Sequence, residues 1–281
     1  MKWFCAILLV ALSVFAIDTK AGVIQWGTNP GGEWGTAANW VGGILPGTAD
    51  TATIRTAVGT GPTFSSVSGT QLVGTVTIGE WSNSNMLMTG GTLGVNNVFA
   101  VGYKSLNSST LGNSTFTMTG GYIGNANTNY APQQLWVGYS TAAAQTNGTM
   151  DMSSSSRVDV RWAINIGGGT SGRNTVGHLN MSGNSQIHLW QTLSISTNGS
   201  NLDLRNNAQV ALWNTVAGYK SLADVQAMIA DGRITAYGLA NTVRITQFDN
   251  LQGGTGFLLS TPEPATMLLL GLGGLCFLRR K

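Results

Sequence analysis

Met86-Leu87-Met88-Thr89-Gly90-Gly91-Thr92-Leu93-Gly94, closed by Phe99-Ala100-Val101-Gly102-Tyr103, is a phrase that this chain repeats. It returns as Phe116-Thr117-Met118-Thr119-Gly120-Gly121-Tyr122-Ile123-Gly124, closed by Leu135-Trp136-Val137-Gly138-Tyr139. A third unit opens at Met150-Asp151-Met152 and closes on Ile164-Asn165-Ile166-Gly167. A fourth runs from Leu179-Asn180-Met181-Ser182-Gly183 to Leu193-Ser194-Ile195, and a fifth opens at Leu202-Asp203-Leu204. With Met88, Met118, Met152, Met181 and Leu204 as equivalents, the units are spaced by 30, 34, 29 and 23 residues. Within a unit, apolar and polar residues alternate over short runs, as in Val158, Val160, Ile164 and Ile166, or Ile187, Leu189, Leu193 and Ile195. A period of two marks a strand with one buried face. Gly, Asn and Ser clusters between the runs supply turns.

Two or three short strands per unit at this spacing predict one coil of a β-solenoid. A single coil cannot bury its own inner face, whereas stacked coils share a continuous core. The expected fold class is all-β: a single-stranded, right-handed parallel β-helix with a short capping helix and a C-terminal hydrophobic helix. A β-sandwich also alternates its strands, but it gives no reason for one phrase to recur with its apolar positions in register. The open ends of such a solenoid need covers. The segment Trp26 to Ile54, with Trp26, Trp34, Asn39-Trp40, Pro46 and Asp50-Thr51-Ala52-Thr53-Ile54, is the first candidate. It resembles the lead-in of passenger-type bacterial surface β-helix proteins. The second is Ser221 to Gly232, in which Ser221-Leu222-Ala223-Asp224 reads as a capping box. There Leu222, Val225, Met228 and Ile229 share one helical face, and Gly232 suits the C-cap. One or two strands through Leu259 should follow.

Composition agrees with an exported β protein. The 281 residues include 39 Gly, 33 Thr, 23 Ser and 23 Asn, and only 9% are charged. Ordinary soluble domains carry about 7% Gly and about 25% charged residues. The formal charge of +3 comes from Lys2, Asp18, Lys20, Glu263, Arg279, Arg280 and Lys281, which lie in the two end segments. Residues 22 to 262 hold nine basic and nine acidic side chains, so the body is neutral. That excludes the clustered basic face a nucleic-acid binder needs. Cys5 and Cys276 also lie in the end segments, so the body has no disulfide, no thiol nucleophile and no thiolate metal site.

The end segments read as targeting signals. Lys2 precedes the apolar run Trp3 to Ala16, the form of a secretory signal peptide, with cleavage after Ala16 or after Ala21. The run is short of the ~20 residues that span a bilayer. At the other end stand Thr261-Pro262-Glu263-Pro264-Ala265, the Leu/Gly-rich span Thr266 to Leu278, and Arg279-Arg280-Lys281. The prolines break any preceding element. Residues 265–278 predict a short helix in the inner membrane, stopped by a basic cluster that is held on the cytoplasmic side.

In its Pro262-Glu263-Pro264 triplet, its apolar span and its Arg279/Arg280 cluster, this segment resembles the PEP-CTERM sorting signal. The resemblance implies recognition by an exosortase, a membrane-embedded processing enzyme of Gram-negative bacteria whose hosts typically make exopolysaccharide. It further implies export, transient anchoring, and delivery to the cell surface or the extracellular matrix. The chain is thus divided into a signal peptide (1–21), a solenoid body with its N-terminal cap (22–220), a capping helix with terminal strands (221–260) and a sorting segment (261–281).

Chemistry-bearing residues in the body are sparse. No nucleophile elbow, His-Glu-x-x-His motif or phosphate loop is present, and Gly167-Gly168-Gly169 reads as a turn. His178 and His188 fall on the polar phase of their strands, near neighbours across a turn, and make no metal site without a third ligand. A polysaccharide lyase or hydrolase on this fold would need neighbouring carboxylates. Asp151 and Asp159 are the candidates on adjacent strands, with Arg157 and Arg161 as their expected ion-pair partners. Alignment of the coils puts Arg161, Trp190 and Trp213 in one outward column, rungs about 4.8 Å apart, where aromatic rings can stack on sugars. The expected function is therefore structural or adhesive, with no catalytic residue, metal or cofactor and with extracellular polysaccharide as a partner. A β-helix polysaccharide lyase or hydrolase is the alternative.

Overall fold

The computed structural model describes residues 21–27, 31–55, 61–80, 83–104, 112–124, 131–141, 145–169, 175–213, 221–249 and 255–262. The expected signal peptide, up to residue 20, and the sorting segment from Glu263 onward lie outside the described residues. Two lead-in strands, β1 (Val23–Gln25) and β2 (Thr51–Ile54), start the fold. Five successive strand triplets follow: β3 (Thr63–Phe64), β4 (Thr70–Val73), β5 (Thr75–Ile78); β6 (Ser84–Met88), β7 (Thr92–Val95), β8 (Val98–Lys104); β9 (Gly112–Met118), β10 (Tyr122–Ile123), β11 (Gln134–Ser140); β12 (Thr146–Met152), β13 (Arg157–Val160), β14 (Ala163–Ile166); β15 (Val176–Met181), β16 (Gln186–Leu189), β17 (Thr192–Ile195). A sixth pass supplies β18 (Asn201–Leu204) and β19 (Gln209–Leu212). Helix α1 (Leu222–Ala230), β20 (Ile234–Ala236), β21 (Arg244–Asp249) and β22 (Thr255–Ser260) complete the order.

The first strands of the triplets form sheet 1, in the order β20-β18-β15-β12-β9-β6-β3. The second strands form sheet 2, β21-β22-β19-β16-β13-β10-β7-β4, and the third form sheet 3, β1-β2-β5-β8-β11-β14-β17. Consecutive coils pair in parallel throughout. This is the β-solenoid that the repeated phrase predicts. Met88, Met118, Met152, Met181 and Leu204 align rung upon rung, with Phe64 before them and Ala236 after. These side chains are at most 1% exposed, and all but Ala236 belong to one core cluster. Parallel coils stack like against like, so methionine, which adapts its shape, fills the column with little need for complementary sizes.

Both ends are covered. At the start, Trp26, Trp34 and Trp40 are buried and meet edge to face, with ring centroids 5.0 and 4.7 Å apart. The Trp40 Nε1–H donates to the Trp34 carbonyl at 2.9 Å, so the buried indole is satisfied. At the far end Ser221 and Asp224 form the expected capping box. Val225, Met228 and Ile229 are buried, Leu222 packs against the core, and Gly232 has φ 79° beyond the C-cap Asp231. Three strands follow the helix, where one or two were expected. β20 extends sheet 1 in parallel, but β21 and β22 form an antiparallel hairpin laid against β19. The reversal lets two short strands close the last rung of sheet 2 without another full coil.

Candidate functional site

The outer face of sheet 2 concentrates the chemistry. In β13 the alternation sends Val158 and Val160 inward and Arg157 and Asp159 outward; in β16 it does the same with Ile187, Leu189 and His188. Register places Tyr122 beside Arg157 and Asp159 beside His188. Four polar side chains from three coils therefore meet. Arg157 grips the carboxylate of Asp159 through Nε (2.9 Å to Oδ1) and Nη2 (3.0 Å to Oδ2). The Tyr122 hydroxyl donates to Asp159 Oδ2 at 2.6 Å. His188 Nδ1 lies 3.4 Å from Asp159 Oδ1 and 3.2 Å from Arg157 Nη2. The Arg157 guanidinium also sits 5.3 Å from the centre of the Tyr122 ring.

This cluster has a defined electrostatic state. Burial, reinforced by the hydrogen bond to Asp159, pushes the Tyr122 phenol well above its ordinary range. The hydrogen bond to Asp159 also holds the Arg157 guanidinium more firmly protonated. His188 moves the other way: burial lowers its pKa, the neighbouring Arg157 adds to that, and Asp159 opposes it. The imidazole is thus neutral at physiological pH, a hydrogen-bonding group beside a satisfied ion pair.

The aromatic column adjoins this cluster. Arg161, Trp190 and Trp213 each follow the last residue of an aligned strand, because Val160, Leu189 and Leu212 are in register. The Trp190 and Trp213 amides donate to the Val160 and Leu189 carbonyls at 3.0 and 2.8 Å. All three side chains are partly exposed. The two indoles stack with centroids 6.2 Å apart and planes 16° from parallel. Trp213 also lies 5.9 Å from the His188 ring, which joins the column to the polar cluster.

Sequence reasoning missed Phe248. It lies across Gly256 on the terminal hairpin and meets Trp213 edge-on at 5.5 Å. The repeat could not reveal it, because the hairpin runs against the coil direction. Tyr122 was missed for another reason: its place in the repeat marks a strand start, and only the rung above shows that its hydroxyl reaches Asp159.

The remaining site expectations fall apart spatially. Asp151 and Asp159 lie on different sheets, because the chain turns a corner between β12 and β13. Asp151 accepts from Asn180 Nδ2 at 2.8 Å, so its partner is an amide on the next rung. Arg157 is the partner of Asp159 as expected, while Arg161 forms no ion pair among the described residues. His178 and His188 are likewise on different sheets, and His178 Nδ1 is 2.6 Å from Asn201 Oδ1. Of the sorting residues, Pro262 is described and partly exposed; Glu263, Pro264, Arg279 and Arg280 lie outside the described residues. Among the described residues, no helix is long and apolar enough to cross a membrane.

No curated protein and no solved structure matches this chain. The family model of the PEP-CTERM protein-sorting motif matches residues 260–281, which marks the chain as an exported protein carrying an exosortase sorting signal.

Proposed function

We propose that this protein is a structural or adhesive component of the cell surface or exopolysaccharide matrix of a Gram-negative bacterium, holding glycan against the outer wall of sheet 2. Export begins with the signal peptide of residues 1–21. Residues 265–278 then hold the chain in the inner membrane until an exosortase acts at Pro262-Glu263-Pro264. The observation that carries the glycan reading is the partly exposed, nearly parallel stack of Trp190 and Trp213. Such a stack offers π faces to the C–H face of a sugar. Arg161 on the next rung and the Arg157–Asp159–His188 cluster beside it offer hydrogen bonds to hydroxyl or carboxylate groups. Aromatic contacts are worth roughly 0.5–1.5 kcal/mol each, so one wall binds weakly and gains strength from many copies in a matrix.

Binding without catalysis fits the state of Asp159. Both its oxygens already accept hydrogen bonds from Arg157, and one also accepts from Tyr122. Held by these donors, the carboxylate is not open to a substrate, and the second candidate carboxylate, Asp151, stands on another sheet. The test is to titrate exopolysaccharide from the producing cells into the purified protein while following tryptophan fluorescence. The parent should show a saturable change that a Trp190→Ala, Trp213→Ala double variant loses while keeping its fold. Equal binding by that variant refutes the wall as a glycan site. New reducing ends or unsaturated uronate in the same mixture would instead establish the lyase or hydrolase alternative.

A further inference from the structure

We infer that sheet 3 carries a second, separate sugar-binding face: an aromatic platform of Tyr103, Trp136 and Tyr139 that takes a neutral pyranose chain. Trp136 lies on the outward phase of β11, between the inward Leu135 and Val137. Gly138 follows with φ 65°, a left-handed kink that breaks the strand's alternation and brings Tyr139 back over the indole. The Trp136 and Tyr139 rings stack with centroids 4.7 Å apart and planes 26° from parallel. Tyr103, the register partner of Tyr139 one rung earlier, stands 5.1 Å from Trp136. All three are partly exposed.

The polar atoms at the edge of the platform are already arranged. The Trp136 Nε1–H donates to Gln134 Oε1 at 2.8 Å, so the indole is held in place. The Tyr103 hydroxyl lies 3.2 Å from Thr141 Oγ1. On the two rungs after Trp136, the aligned side chains are Asn165 and Ser194, both partly exposed and uncharged. The result is a π surface rimmed by amide and hydroxyl groups. That surface complements a pyranose with an apolar C–H face and equatorial hydroxyls.

Size selects the occupant. A stable protein interface needs about 800 Å² from each partner. Even fully buried aromatic side chains cover about 150–250 Å² each, and these three are already partly buried. The platform is too small for a protein partner and matches one or two sugar rings. It lies on the strands of sheet 3, whereas Trp190 and Trp213 stand just past the last residues of β16 and β19 of sheet 2. With both faces occupied, one molecule would link two chains.

The probe is cellohexaose, a neutral β-1,4-linked chain with flat apolar faces, titrated calorimetrically into the purified protein. Saturable binding should weaken at least tenfold in Trp136→Ala and in Tyr139→Ser, both checked for a native melting curve. Trp136→Phe, which keeps a ring in place, should bind within threefold of the parent. The Trp190→Ala, Trp213→Ala variant should bind as the parent does. The inference is overturned if the parent shows no saturable binding, or if both single variants bind unchanged. It is also overturned if only the sheet 2 variant loses binding, a result that would assign the sugar to the other wall.

Discussion

His188 shows how a single residue couples this wall to its environment. The imidazole is packed by Asp159, Arg157 and the Trp213 ring, and burial lowers its pKa from the ordinary value near 6.5. The unfolded chain therefore binds a proton near pH 6.5 that the folded chain refuses. Stability is fully present above that pH and falls as the pH drops toward the lowered folded value, by no more than about 1.4 kcal/mol per pH unit for one group. Urea midpoints measured at pH 7.5 and 5.5 should fall further for the parent than for His188→Gln. Equal falls would show that His188 takes no part. The sequence assigns His188 to the outward phase, and that much was legible. The cation beside it was not, because Arg157 and His188 are 31 positions apart and meet only through the stacking of coils. The kink at Gly138 was illegible for a similar reason. Its sequence signal, Val-Gly-Tyr, resembles a strand end, whereas a β-carbon there would run into the Val176 carbonyl of a neighbouring sheet.

At the scale of the element, the caps decide whether the solenoid holds together. A coil at the end of the stack has one neighbour, so its apolar inner face needs a cover that the repeat itself does not supply. Trp34 is that cover at the start. It is 1% exposed, touches Trp40 edge-on at 4.7 Å and faces Phe64, the first member of the inward column, at 5.9 Å. Trp34→Ala removes the ring and opens a void against both neighbours. The expected loss is about 3–5 kcal/mol, seen as a lower denaturation midpoint with a parallel rise in dye binding at the exposed first coil. Trp162, which is 43% exposed, supplies the comparison: its change to Ala should move the midpoint little. A Trp34→Ala midpoint within error of the parent would mean that some other segment closes the stack. These covers were readable in part. Three tryptophans before the first repeat, and a capping box after the last, are strong local signals. The terminal hairpin carried no such signal: Arg244–Asp249 sets Ile245 and Phe248 three apart, Thr255–Ser260 runs Phe257, Leu258 and Leu259 together, and only pairing distinguishes antiparallel from parallel.

For the whole molecule, the position of the last strand separates folding from sorting. β22 ends at Ser260, paired antiparallel with β19, and the Thr261 hydroxyl donates to the Asn206 carbonyl. Pro262 comes next; lacking a backbone N–H, it cannot continue the ladder. The core cluster reaches Leu259, and the family match begins at residue 260. Among the described residues, the last strand thus ends where the sorting signal starts. The repeat made the body's fold legible, while its activity stayed obscure because a solenoid wall brings together residues one coil apart. The tail was legible at once because its signal is linear. A chain ending at Thr261 should therefore melt within about 1 °C of the parent, since it keeps every core side chain among the described residues. It should still be exported, yet leave the cell surface fraction and accumulate in the medium or periplasm. Intact-mass measurement of the parent from its native cells should find residues 265–281 removed. A parent that keeps those residues, or a truncated chain that fractionates as the parent does, would show that the segment does not direct sorting. A truncated chain that melts well below the parent would show that the tail is part of the fold.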